Sequence, residues 1–153
     1  MAIKFYKSRE KYGPFSNFTK IPVYLDDRMW PTTEHYYQSQ KFLDKDLREQ
    51  VRLAKWAGEA SQIGRDRGLP LRDDWEVVKL DVMRKVVRAK IEQYDYIRDL
   101  LLSTGDEEII EDSPIDYFWG CGKTGTGHNW LGKIWMEMRE DLRQDDSKKS
   151  SKL

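Results

Sequence analysis

The sequence predicts an α+β fold: a mainly helical single domain with a short N-terminal β-hairpin or small sheet. The first thirty residues alternate apolar and polar side chains between turn signals, and from Thr32 onward the apolar spacing becomes that of amphipathic helices. A chain of 153 residues is long enough for one hydrophobic core and short for two.

Taken in order, Ile3-Lys4-Phe5-Tyr6 alternates as a strand, and Pro22-Val23-Tyr24-Leu25, the turn residues Asp26-Asp27-Arg28 and then Met29-Trp30 read as a hairpin. Between them Tyr12 to Phe18 mixes turn residues with aromatics, which predicts a loop pinned onto the core. Pro31 with Thr32 or Thr33 marks a helix start, and residues 34–43 follow without a breaker. Leu47, Val51 and Ala54 predict a second helix that stops at Gly58, followed by a turn around Ala60 to Ile63 that ends at Gly64. Asp73 and Glu76 resemble a capping pair for the longest helix, with Val78, Val82, Val86 and Ala89 on its buried side. Helix resumes after a bend over Tyr94 to Leu102 and closes at Thr104-Gly105; Glu107 to Glu111 reads as a short strand. Residues 112–129 are glycine-rich and irregular. The last helix starts near Trp130, with Leu131, Ile134, Trp135, Met138 and Leu142 on one face. The domain is expected over residues 1–143, with 144–153 a polar, disordered tail.

Composition narrows the function classes. Charged residues make up 35% of the chain, with Lys+Arg and Asp+Glu equal at 27 each, which argues against a dedicated polyanion binder but leaves room for a local basic pocket. Cys121 is the one cysteine, so neither an intrachain disulfide nor a Cys-based metal cluster can form within one subunit. The N-terminus lacks a signal peptide's apolar segment and no stretch is long and apolar enough to span a bilayer, so a cytoplasmic protein with no membrane partner is expected, as a monomer or small homo-oligomer. The terminal Ser151-Lys152-Leu153 matches a peroxisomal address.

Two constellations carry candidate chemistry. On a helix from Thr32, Glu34, Gln38 and Lys41 fall within one arc, so a carboxylate, an amide and an amine point the same way. That spacing alone fits a solvated face equally well; the entry through Trp30-Pro31 and the neighbouring Tyr and Phe favour a pocket. His35 and His128 lack the paired spacing of a metal site, and none is expected. The second constellation runs from Asp116 to Asn129. Its glycines at 120, 122 and 125 formally match a dinucleotide fingerprint and residues 122–124 a phosphate loop. Tyr117, however, stands where a phosphate loop needs glycine, and the helix opens too late for the fingerprint, so no cofactor is expected. What remains is either a mobile loop or glycine amides that approach an anion at Gly120, with Asn129 capping the last helix and aiming its N-terminus at the ligand. Trp75 and Trp119 sit beside acids at element boundaries, where an indole can stack on a base. Arg65, Arg67 and Arg72 form either a solvated charge run or a phosphate contact.

Gly13-Pro14-Phe15-Ser16-Asn17-Phe18, the segment Trp-Pro-Thr-Thr-Glu-His-Tyr-Tyr-Gln from Trp30, Gly64-Arg65-Asp66-Arg67, Arg72 to Trp75, Val82-Met83-Arg84 and Asp116 to Gly132 together resemble the YbiA-like, or NADAR, family over about residues 3–142. The resemblance implies an N-glycosidase that breaks the bond between ribose C1 and an exocyclic nitrogen. Its substrate would be either a ribosylamino-pyrimidine phosphate of riboflavin synthesis or ADP-ribosylated guanine, as a nucleotide or in DNA or RNA. The family's functional positions fall on Glu34, Trp75, Asp116 and Trp119, with Lys41 the amine of the Glu34 helix. Glu34 and Asp116 are then expected as acid and base, or Lys41 as a Schiff-base nucleophile, while Asn17, Gln38, Gly120, Asn129 and Arg65 hold sugar or phosphate. A non-catalytic module that binds ADP-ribose or a related nucleotide is the alternative.

Overall fold

The computed structural model describes residues 1–151, with side chains through Lys148; Lys152 and Leu153, and with them the terminal tripeptide address, lie outside the described residues. The chain forms two compact units: Met1–Ser16 together with the chain from Tyr94 onward, and Asn17–Gln93 between them. Helix dominates and strands are short, as the sequence predicts.

In the discontinuous unit, β1 (Ile3–Phe5) lies parallel to β4 (Ile109–Glu111), with Ile3 opposite Ile109 and Phe5 opposite Glu111. The pair is closed at its ends by Ile3 N donating to Glu108 O and Asp112 N to Phe5 O. A 3-10 turn at Gly13–Phe15 buries Phe15, whose ring meets Phe5 edge-on and Trp135 at a centroid distance of 4.5 Å. The expected pinned loop is therefore a core contributor. Helix α5 (Asp95–Ser103) closes at Thr104, with Gly105 in the left-handed region, and α6 (Trp130–Ser151) covers β4. Arg139, almost fully buried on α6, donates to Thr104 Oγ1 and to Glu107 O. Helix continues past Arg143, where the sequence suggests a disordered tail from residue 144. No breaker interrupts it, and Arg98 on α5 pairs with Asp146 at 3.0 Å.

In the continuous unit, β2 (Val23–Leu25) and β3 (Arg28–Trp30) pair antiparallel across Asp26-Asp27. Both turn residues have positive φ, 54° and 62°, the geometry a two-residue hairpin needs for its strands' twist. Asp26 is held there by Tyr36 Oη at 2.8 Å and Lys85 Nζ at 2.9 Å. Helix α1 (Thr33–Ser39) is buried along its whole length, and the Thr32 hydroxyl caps it by accepting from His35 N.

Three element boundaries differ from the sequence reading. Helix α1 stops at Ser39, not near Leu43, because the Lys41 carbonyl accepts Arg72 N and the Phe42 carbonyl accepts Arg48 Nε, which draws Phe42 into a cluster with Val51, Ala54 and Ala60. The second helix, α2 (Lys45–Arg52), ends six residues before Gly58. Gly58 and the supposed turn at Ala60 to Ile63 belong instead to a third helix, α3 (Ala57–Arg65), whose small buried residues Ala57, Ala60, Ser61 and Gly64 pack on α1. The long helix α4 (Trp75–Gln93) buries Val86 and Ala89 as expected, and also Met83 and Lys90, while Val78 and Val82 are half-buried. Its first carbonyl is that of Asp74, which accepts Val77 N and Val78 N; the Asp74 carboxylate is paired with Arg72.

Candidate active site

The segment entering α1 sets the first polar group. Asn17 O accepts Glu34 N at 3.1 Å, and Asn17 Oδ1 accepts the Thr33 hydroxyl at 2.8 Å, so Asn17 braces the first turn of α1. Its own Nδ2 donates to Met83 Sδ. Glu34, 7% exposed, accepts from Gln38 Nε2 at 2.6 Å, an i,i+4 bond along the helix. Lys41 lies one residue beyond the C-cap Gln40 rather than on the helix, in a turn where its N–H donates to Gln38 O. That turn keeps its amine on the Glu34 side, where Nζ donates to Gly64 O and sits 5.7 Å from the Tyr37 ring centre and 6.0 Å from that of Trp75. The two rings stand 5.2 Å apart.

This setting changes the amine. Burial among aromatic rings removes water from the ammonium, and the nearby Arg67 guanidinium repels it. Together they bring the Lys41 pKa down to about 8, against the opposing pull of Glu34. The Arg67 guanidinium donates to Gly64 O, the same carbonyl that receives Lys41. Arg65 is exposed and adds to the repulsion from farther off. A buried amine that gives up its proton near neutral pH beside a buried carboxylate can act as a nucleophile toward an electrophilic carbon while the carboxylate exchanges protons.

Neighbouring His35 has a structural position. Its Nδ1 lies 2.8 Å from Thr32 Oγ1 and its Nε2 3.0 Å from Ala54 O, and burial lowers its pKa. A neutral ring donating through Nε2 satisfies both partners. Among the described residues no group of His, Cys, Asp and Glu could hold a metal, and no helix is long and apolar enough to cross a membrane.

Glu34, Gln38, Lys41 and Trp75 are thus brought together, with Asn17 behind them and Arg65 at their edge. Tyr37 and Gly64 also belong to this cluster and were not singled out as site residues by the sequence; Tyr37 lies in the α1 motif, and its aromatic neighbours were the available signal. Asp116, Trp119, Gly120 and Asn129 lie in the other unit, in a loop that bonds to itself. Asp116 Oδ1 accepts Phe118 N and Trp119 N at 2.9 and 2.7 Å, making an Asx-type turn, and half-buried Trp119 meets Phe118 edge-on. Gly120 O accepts Asn129 N, and a side chain at Gly120 would come within 2.9 Å of Glu111 O, so this glycine lets the loop lie against β4. The first amides of α6 are engaged too, Trp130 N by Phe118 O and Leu131 N by Trp119 O. The Asn129 side chain accepts Glu111 N and donates to Ile109 O, so it completes the edge of β4 and does not cap α6 toward a ligand.

Residues 4–143 match the NADAR domain. Over 140 residues the chain is 48% identical to N-glycosidase YbiA of Escherichia coli (strain K12), a match covering 92% of this chain and 88% of that protein. The chain belongs to the NADAR family. The NMR structure of the E. coli protein YbiA superimposes on it with a TM-score of 0.88 at 46% identity, covering 95% of this chain and 87% of that one. The maize riboflavin biosynthesis protein PYRR, chloroplastic, is 39% identical over 155 residues, taking in 92% of this chain and 25% of that protein. As a NADAR protein alike over nearly its whole length to a named N-glycosidase, the chain is an enzyme of that class, which sets aside the non-catalytic binding module.

Proposed function

We propose that this NADAR enzyme hydrolyses the bond between ribose C1 and an exocyclic nitrogen through a Schiff base on Lys41, with Glu34 as the proton carrier. The observation that carries the reading is the Lys41 amine, buried against Tyr37 and Trp75 beside Glu34 and brought to a pKa of about 8. The exocyclic nitrogen's lone pair forms a C1=N bond as the ring oxygen leaves C1 and takes a proton from Glu34. Neutral Lys41 adds to C1, and the base departs as its free amine, carrying a proton back through Glu34. Water then adds to the lysine imine, Lys41 leaves, and the sugar is released as an aldehyde that recloses. The net change is one C–N bond broken and one C–O bond formed, with one water consumed. Trp75 serves as a stacking surface for the base, with Arg65 toward phosphate, and Asn17 and Gln38 orient Glu34; in the other unit Trp119 offers an indole on the loop that Gly120 and Asn129 shape.

A direct route with Glu34 and Asp116 as acid and base is the second reading. It asks more of Asp116, whose Oδ1 already accepts two backbone amides. Of substrates, a ribosylamino-pyrimidine phosphate is favoured by the riboflavin biosynthesis name of the maize relative; ADP-ribosylated guanine presents the same bond. Offering both side by side ranks them. Borohydride added during turnover, followed by peptide mass spectrometry, is expected to leave a reduced sugar adduct on Lys41, and Glu34→Gln is expected to lower kcat about 10²-fold or more. An unmodified Lys41 under conditions that trap a known imine enzyme would return the reaction to the two-carboxylate route.

A further inference from the structure

We propose that Gly64 is a positioning residue of the catalytic cluster: its missing side chain gives Gln38 the space it needs to hold Glu34, while its carbonyl holds the Lys41 amine. The proposal rests on the reading that Glu34 and Lys41 carry the chemistry. Its starting point is a glycine in the last turn of α3 that the backbone does not require. The described glycines with positive φ are Gly105, Gly122 and Gly125, so Gly64 adopts a conformation open to any residue, and alanine is the better helix former there. What requires glycine is space. A Cβ at position 64 would lie 1.9 Å from Gln38 Oε1, 2.7 Å from its Cδ and 3.1 Å from its Cβ. The first two are the amide end of the side chain, which would have to turn away from its present rotamer; the contact with Cβ, tighter than ordinary packing, adds a shift of the two helices by a few tenths of an ångström.

The position of that arm has one polar anchor. Gln38 Nε2 donates to Glu34 Oε1 at 2.6 Å, whereas Gln38 Oε1 is buried with no hydrogen-bond partner among the described residues. The carbonyl end is thus set by packing against Gly64 and the amide end by Glu34, so displacing one releases the other. The Gly64 backbone carbonyl accepts Lys41 Nζ and the Arg67 guanidinium. Gly64 therefore touches both halves of the acid–amine pair, one through an absent side chain and one through its backbone. Gly58, in the first turn of the same helix, supplies the control, because a Cβ there would meet nothing within 4 Å.

The test compares Gly64→Ala, Gln38→Ala, the double variant and Gly58→Ala. Gly64→Ala is expected to lower kcat about 10-fold or more with KM within about 3-fold, since the carboxylate is misaligned while the stacking surfaces remain. Gln38→Ala is expected to do the same, and the double variant to be no slower than Gln38→Ala, because the alanine at 64 then has nothing to displace. Gly58→Ala should retain wild-type kcat. Wild-type turnover in Gly64→Ala, or losses that multiply in the double variant, would overturn the proposal. Should Gly64→Ala fail to fold, the double variant decides: folding restored by Gln38→Ala supports the steric coupling, and continued failure overturns it. The Gln38 side-chain amide resonance in NMR gives a readout independent of turnover. It should move in Gly64→Ala even if Glu34→Gln proves fully active and the chemical reading falls; an unmoved resonance removes the positioning role by itself.

Discussion

Lys41 shows how one side chain's surroundings fix what it can do. Its folded-state pKa of about 8 comes first from burial and then from Arg67. In the unfolded chain the amine returns to its ordinary value near 10.5, so between about pH 8 and 10.5 the unfolded state binds the extra proton and stability rises with pH. Below pH 8 the buried ammonium costs its full desolvation, a cost the protein carries at neutral pH and which leaves the amine partly neutral there. With Lys41 as the proposed nucleophile, kcat/KM is expected to climb with pH through about 8. Replacing Arg67 with Gln removes a repelling cation, so the Lys41 pKa should rise and the ascending limb move to higher pH, a shift read from the pH profile of the variant. A limb left in place would mean that it belongs to another group. The nearness of the Lys41 amine to the Glu34 carboxylate and to Tyr37 was accessible from the sequence, but its other ring and its repelling cation come from Trp75 and Arg67, on chain segments whose approach no spacing along α1 encodes.

Secondary-structure elements divide by the kind of force that bounds them. The β2–β3 hairpin was legible because Asp26-Asp27 accept left-handed backbone, and the start of α1 because Thr32 is a capping residue; both are local chemistry. The end of α1 was not, because the groups that take the Lys41 and Phe42 carbonyls come from Arg72 and Arg48. Helix α3 was missed for a related reason, its glycines having been read as breakers when one of them answers to packing across α1. Helix α4 hid a further feature. Lys90 is fully buried, and burial alone brings its pKa down to about 7 from near 10.5. The unfolded chain therefore binds the extra proton between pH 7 and 10.5, and the penalty of folding around the amine is greatest below pH 7. Lys90→Met, which keeps an unbranched chain of similar length, is expected to raise Tm, and by more at about pH 6 than at about pH 10. A lower Tm at the acidic pH would show that partners of the ammonium outweigh its desolvation.

The path of the whole chain adds a constraint that neither residues nor elements show alone. Met1–Ser16 joins the segment from Tyr94 onward only after Asn17–Gln93 has been made, so β1 pairs with a strand more than a hundred residues away, Ile3 against Ile109. Such non-local pairing is slow to form and depends on few bonds. Here three residues of β1 cover one edge of β4, while the Asn129 side chain occupies Glu111 N and Ile109 O, and Phe5 is buried against Phe15, which packs on Trp135. The sequence signalled strands at both places but not their pairing, since a three-residue strand carries no register information of its own. Removing residues 1–5 takes away Phe5 and the acceptor of Asp112 N. Loss of a buried phenylalanine on the scale of about 3–5 kcal/mol is expected, read as a lower denaturant midpoint followed by Trp fluorescence. Amide exchange should accelerate at Asp112 and spread along Ile109–Glu111, because a lone strand has no ladder to protect it. Retained protection at Ile109–Glu111 would mean that the Asn129 side chain and α6 hold β4 without β1, and that the N-terminal strand is dispensable to this unit.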